Sequence, residues 1–170
     1  VPDAYEVYNE PSTVEMCAKL GVLAPNEVKA RFEILNETYV KKLQIEARII
    51  GDICLSHVIP AAVRYQNILI ENVKGIKEIF ADDYVRYCSS ELETLKKISQ
   101  FINDISADVE LLVEARKKAN RIEDIAERAK VYSHSVKDMM DKVRESADNL
   151  EMLIDNEMWP LPKYRELLFF

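Results

Sequence analysis

The chain has 170 residues, 48% hydrophobic and 31% charged, with a net charge of −7. That length fits one domain with a sizeable core, and the balance of apolar and charged residues excludes wholesale disorder. The acidic surplus argues against nucleic acid or an anionic membrane as partner, because phosphate contacts need clustered Lys and Arg.

Only three glycines occur, Gly21, Gly51 and Gly75, which leaves little material for tight turns and hence for strands. Cys17, Cys54 and Cys88 are odd in number and widely spaced, with no CxxC pair. They read as reduced, buried thiols of a cytosolic protein rather than as a zinc site. No signal peptide is evident, and the apolar runs look too short to span a membrane. The first residue is Val, not Met, as expected of a piece cut from a longer chain.

Along the chain, residues 1–11 are expected to be extended, with Pro2 and Pro11 barring a helix. Ser12 and Glu15 form a capping-box pattern ahead of a short helix over 13–20, which Gly21 stops. Asn26 is placed to cap the next helix. Its apolar stripe runs Val28, Phe32, Leu35, Tyr39, Leu43, Ala47, Ile50, Cys54, Val58, Ala61, Tyr65, Leu69, Val73, Ile76 and Phe80, in steps of three and four. Pro60 interrupts the stripe without changing its phase, which predicts a kink rather than a loop.

Between Gly75 and Pro160 there is neither Gly nor Pro. Leu95, Ile98, Ile102, Ile105, Val109 and Leu112 make one coiled-coil seam. Ile122, Ile125, Ala129, Tyr132, Val136, Met139 and Val143 make a second, which shifts phase and continues through Ala147, Leu150 and Ile154. Asp82 and Asp83 are expected to cap the first of these helices, and Asn120 with Glu123 the second. Two helices of roughly 35 residues, about 50 Å long, then form an antiparallel hairpin. The expected fold is all-α: an elongated antiparallel helical bundle built on a long kinked helix plus a long helical hairpin. A short N-terminal helix within residues 1–25 and a Pro-rich C-terminal tail complete it, with the bundle over 26–170.

Few residues invite chemistry. A di-iron bundle needs Glu-x-x-His on two helices, but Cys54 precedes His57 by three residues and Val131 precedes His134. His57, near the apolar stripe, reads as a hydrogen-bonded packing residue, and His134 as solvated. Glu46, Glu71, Glu110 and Glu114 read as exposed ion-pair partners. Arg116, Lys117, Lys118 and Arg121 read as a helix C-terminus complementing the macrodipole. No Walker A loop, GxGxxG or HExxH occurs. The sequence thus offers no catalytic, metal or cofactor residue.

Three stretches carry a family likeness: "NEVKARFEILNETYVKKLQIEA" (26–47), "IEARIIGDICLSHVIPAAVRYQNIL" (45–69) and "LIDNEMWPLPKYRELLFF" (153–170). In order and spacing they resemble the C-terminal region of type III glutamine synthetases, the large bacterial form. The resemblance implies a parent that condenses glutamate with ammonia at the expense of ATP through a γ-glutamyl phosphate, with divalent metal such as Mg. The family's metal carboxylates and glycine-rich substrate loop have no counterpart here, so no catalytic or nucleotide-binding role carries over. What it implies is a non-catalytic helical domain serving structure, assembly or regulation. Its partners would be its own catalytic domain and neighbouring subunits of a cytoplasmic homo-oligomer.

The closing stretch supplies the candidate docking residues: Trp159, Leu161, Tyr164, Leu167, Leu168, Phe169 and Phe170. Pro160 and Pro162 stiffen the approach, and Pro162 is a candidate first residue of a terminal helix. Such an apolar surface either folds back on its own bundle or docks on another body. Two other functions compete with the ligase reading. One is an autonomous helical interaction module whose hairpin grips a partner helix. The other is a metal-dependent bundle enzyme, which metal analysis of the purified chain would expose.

Overall fold

The computed structural model describes residues 1–168, and among them helices and turns account for the architecture, with no strand. Pro2 and Pro11 start helices instead of barring them. α1 is Pro2–Tyr5, a 3-10 turn follows over Glu6–Asn9, and α2 is Pro11–Lys19. At the first helical position the missing N–H is one that would lack a partner anyway, and the fixed φ suits the helix. The expected capping box is absent: Glu10 stands at the N-cap, and the Ser12 hydroxyl sits 3.5 Å from its carboxylate. Gly21 is the stop it was expected to be. Its φ of +65° lets the Val22 N–H return to the Cys17 carbonyl at 3.1 Å.

α3 (Pro25–Ile53) repeats the device, with Pro25 first and the Glu27 carboxylate accepting from the Ala24 N–H at 2.7 Å. Asn26, expected as the cap, already lies inside the helix. A π-turn over Cys54–Val58 leads directly into α4 (Ile59–Phe80). The wider turn falls on the residues that the Pro60 ring would otherwise crowd, so the chain stays helical through the proline. His57 lies on this turn and is exposed, contrary to its reading as a packing residue.

α4 ends where Ala81 takes a φ of +47°, followed by a 3-10 turn (Ala81–Asp83) and α5 (Tyr84–Tyr87). No side-chain cap forms at Asp83. Instead the Cys88 N–H and thiol both donate to the Tyr84 carbonyl, at 3.1 and 3.2 Å. α6 spans Ser89–Ala119, 31 residues, a turn shorter than expected because it begins only after Cys88. The second arm is α7 (Ile125–Val131), a π-turn (Tyr132–Val136) and α8 (Lys137–Leu153). Its cap is Asp124, whose carboxylate accepts from the Glu127 N–H at 2.8 Å, not Asn120.

The chain divides into two compact units, one of Val1–Ile49 with Leu111–Asp141, the other of Ile50–Glu110 with Lys142–Phe170. In the first, Val28, Phe32, Val40, Leu43 and Ala47 of α3 are buried together with Leu112, Ala119, Ala129, Tyr132 and Val136. In the second, Cys54, Val58, Ala61 and Ala62 are buried with Ile98, Ile105, Val109, Val143, Leu150 and Ile154. Each fully buried Val, Leu or Ile contributes about 1.5–3 kcal/mol, so the seams hold both units. The outer end of the long stripe is wetter than its periodicity implies: Val73 and Ile76 are half-buried, and Phe80 is 41% exposed and stacked on Tyr87 at 4.2 Å. Cys54 and Cys88 are buried and Cys17 half-buried, all as free thiols. By length and composition alone, the helical run Pro25–Tyr87 would pass as a membrane span, where the apolar runs looked too short.

Candidate docking tail

The tail is built from the end of α8 outward. The Ile154 N–H closes the last helical turn on the Leu150 carbonyl at 3.0 Å, and Ile154 is buried. Asp155 then turns the chain. Its carboxylate accepts from the Glu157 N–H at 2.7 Å, and its carbonyl accepts from the N–H groups of Met158 and Trp159. An Asp that bonds its own backbone two residues on is a standard turn-former. Trp159, which follows the turn, is only 8% exposed, and its indole N–H has no partner.

Lys163 is the residue that sequence reading missed. It is as buried as Trp159, and its ammonium donates to the carbonyls of Glu151 and Ile154 at 2.6 and 2.8 Å. The last carbonyls of a helix lack intrahelical donors, and a cation there also meets the negative end of the macrodipole. The same ammonium lies 5.9 Å from the centre of the Trp159 ring, within cation–π range. One lysine thus ties the tail to the end of α8 through two carbonyls and meets the tail's own Trp159 ring. Its sequence signal was weak: a single Lys between Pro162 and an aromatic, in a residue class that is almost always solvated.

Beyond Lys163 the tail turns outward. α9 is Tyr164–Leu167, so it starts two residues later than Pro162. The Glu166 carboxylate accepts from the Lys163 N–H at 3.4 Å. Leu161 is 37% exposed, Leu167 56% and Leu168 77%. The Tyr164 side chain, and Phe169 and Phe170 entirely, lie outside the described residues. The structure therefore separates the candidates that it describes: Trp159 is packed inward, while Leu161, Leu167 and Leu168 face water.

A polar network holds the turn between α6 and α7 in the first unit. The Arg128 guanidinium donates through Nε and Nη2 to the Ile122 carbonyl, the former at 2.7 Å. Tyr132 is fully buried, and its hydroxyl donates to Asn120 Oδ1 at 2.7 Å. Burial pushes its phenol above the ordinary value, against the guanidinium groups of Arg116, Arg128 and Arg48 and the Asn120 bond, which pull it down. Arg116, Lys117 and Lys118 fill the last turn of α6, as the macrodipole reading expected, while Arg121, read with them, lies beyond the helix end at Ala119. Two of the glutamates do pair as expected, Glu71 with Lys74 at 2.7 Å and Glu114 with Lys117 at 2.8 Å. Among the described residues no group of three or more His, Cys, Asp or Glu is placed to hold a metal ion.

Residues 1–77 match the family model described as the glutamine synthetase C-terminal domain. Over 99% of its length the chain is 39% identical to a glutamine synthetase of Bacteroides fragilis (strain YCH46). Over the same share it is 28% identical to a type-3 glutamine synthetase of Dictyostelium discoideum and 27% identical to a glutamine synthetase of Butyrivibrio fibrisolvens. It covers 23%, 23% and 24% of these proteins, so it spans about a quarter of the length of the relatives it matches.

Proposed function

The chain belongs with the C-terminal domain of glutamine synthetases, and on that premise we propose that it is the helical, non-catalytic domain of an ATP-dependent glutamate–ammonia ligase. Its task is assembly or regulation of that enzyme. The active site, with its ATP and divalent metal such as Mg, lies in the remaining three quarters of a chain of the relatives' length. Its partners are that catalytic region and neighbouring subunits of a cytoplasmic homo-oligomer.

The observation that carries this reading is end-to-end similarity: 39% identity over 99% of the chain, which takes in the closing Trp-Pro-Leu-Pro tail as well as the helices. A generic coiled coil would share the heptads and not the tail. The structure adds a physical reason for assembly. A tail fixed at Trp159 and Lys163 holds Leu167 and Leu168 outward at a defined place, and an apolar pair held in water favours a covering surface.

The test uses the full-length ligase with and without this region. The expected result is that the 170-residue chain makes no glutamine from glutamate, ammonia and ATP. The intact enzyme does so as an oligomer, and the shortened enzyme loses its oligomeric state by mass photometry. Glutamine formation by the chain alone, or unaltered assembly and turnover of the shortened enzyme, would overturn the proposal.

A further inference from the structure

We propose that the outer end of α4, with the turn and α5 that follow it, is a self-complementary surface on which a second copy of this chain docks. The segment lies wholly in the second unit. Phe80 and Tyr87 stack on each other, yet both stay in water, Tyr87 at 52% exposed. Ile79 and Val85, their neighbours in sequence, are exposed as well. Aromatic side chains with an arginine beside them are the commonest anchors of protein interfaces, and Arg86 is next to Tyr87.

The backbone holds this cluster in place before any partner arrives. Ala81 takes a φ of +47°, and among the described residues no other non-glycine has a positive φ. Such a conformation is costly for a residue with a Cβ and persists where a particular geometry is enforced. Here it sits in the turn between the two stacked rings. The Lys77 ammonium lies 5.4 Å from the centre of the Tyr84 ring, a second tie between α4 and α5. Groups fixed in advance lower the ordering cost of association.

Charge then selects the occupant. Among the described residues Asp82, Asp83 and Arg86 enter no ion pair. Asp83 stands at the N-cap of α5 without accepting a capping bond, so its carboxylate is free. Residues 77–87 hold two cations, Lys77 and Arg86, and three carboxylates, Glu78, Asp82 and Asp83, on a chain whose net charge is −7. This end therefore escapes most of the repulsion that two copies would meet elsewhere. A wholly acidic or wholly basic partner would answer one sign and oppose the other. A second copy answers both. With two α5 helices antiparallel about a two-fold axis between Tyr84 and Val85, Asp83 faces Arg86 of the second copy, and Arg86 faces Asp83 of the second copy. So small a surface falls in the class below about 1,200 Å², where association is weak, on the order of 10 µM. The inference does not rest on the ligase reading, since association is measured on the chain described here.

The experiment is sedimentation equilibrium of the 170-residue chain across the micromolar range, with circular dichroism confirming that each variant folds. The expected result is a monomer–dimer equilibrium that Tyr87→Ser weakens about tenfold. Asp83→Arg and Arg86→Asp each weaken it by a similar factor, because each sets like charges against one another across the axis. Mixing these two variants in equal amounts restores the dimer, since one copy then carries only cations at 83 and 86 and the other only carboxylates. General loosening of the fold would not produce that rescue. Leu167→Ser/Leu168→Ser, which alters the exposed leucines of the tail, leaves the dimer as it was. A chain that stays monomeric, single charge reversals without effect, a mixture that remains monomeric, or a dimer lost with the tail leucines would overturn the proposal.

Discussion

Lys163→Met is the substitution that most directly tests the account of the tail. Methionine keeps the length and apolar stem of lysine and removes only the ammonium. Two charge-assisted hydrogen bonds are lost, at 2.6 and 2.8 Å, each of about 1.5–3 kcal/mol when removal leaves its partner unsatisfied. Against this stands the cost of burying an ammonium, several kcal/mol, which the variant no longer bears. Two carbonyls at the end of α8 without donors outweigh that relief, and a net loss of about 2 kcal/mol is expected. For a chain of this size that lowers the melting temperature by about 4–8 °C. Trp159 is the sole tryptophan and lies beside the ammonium, so its fluorescence reports the event locally. The variant should show red-shifted emission before global unfolding, together with the lower melting temperature by circular dichroism. A variant as stable as the parent, with unshifted emission, would show that Lys163 does not fasten the tail and that Trp159 is buried for another reason.

The double variant Leu167→Ser/Leu168→Ser should stay within about 0.5 kcal/mol of the parent in urea denaturation, because both side chains face water; a larger loss would mean that this end is packed. Gly75→Ala should stabilise by about 0.5–1 kcal/mol, since the new methyl meets nothing within 4 Å and glycine is a poor helix former; a lower melting temperature would refute it. Burial, seconded by Asp148, pushes the Cys54 thiol up to about 11 from 9.0. The unfolded thiol ionises first, so the stability contributed by the neutral buried thiol is complete below pH 9 and drains away between pH 9 and 11. Cys54→Ala should flatten that decline, and at pH 8 a thiol reagent should label Cys17 well before Cys54 or Cys88. Ile105→Ala, which empties a fully buried seam position, should cost about 2–5 kcal/mol; a cost under 1 kcal/mol would deny the seam its role.

Periodicity carried most of the fold. Ile98, Ile105, Val109, Val136, Val143 and Leu150 were legible as core because helices repeat their inward face every three or four residues, whatever the partner. Helix ends were less legible. Pro2 and Pro11 were read as breakers when their position made them starters, and Asn120 was read as a cap although its oxygen is taken by a tyrosine 12 residues later. The π-turns left no trace in the apolar pattern, since one wide turn still advances the stripe by four. Of the tail, the apolar character was legible and the division of labour was not. Which residues pack inward depends on the Asp155 turn and on an ammonium finding two carbonyls, both tertiary events that a count of hydrophobes does not register.

The π-turns at Cys54–Val58 and Tyr132–Val136 have a bearing on how such a chain can change length. Adding a residue to an ordinary α-helix rotates everything beyond it by about 100° and swings the inward face toward water. A turn with room for five residues instead of about four takes up the extra one locally and leaves the flanking registers intact. Deleting Ser56 or Ser135 should therefore regularise the helix at small cost, while a deletion a few turns away, at Ser106 for instance, should wreck the seam. The two wide turns act as expansion joints, and they mark where kindred sequences are free to differ by one residue.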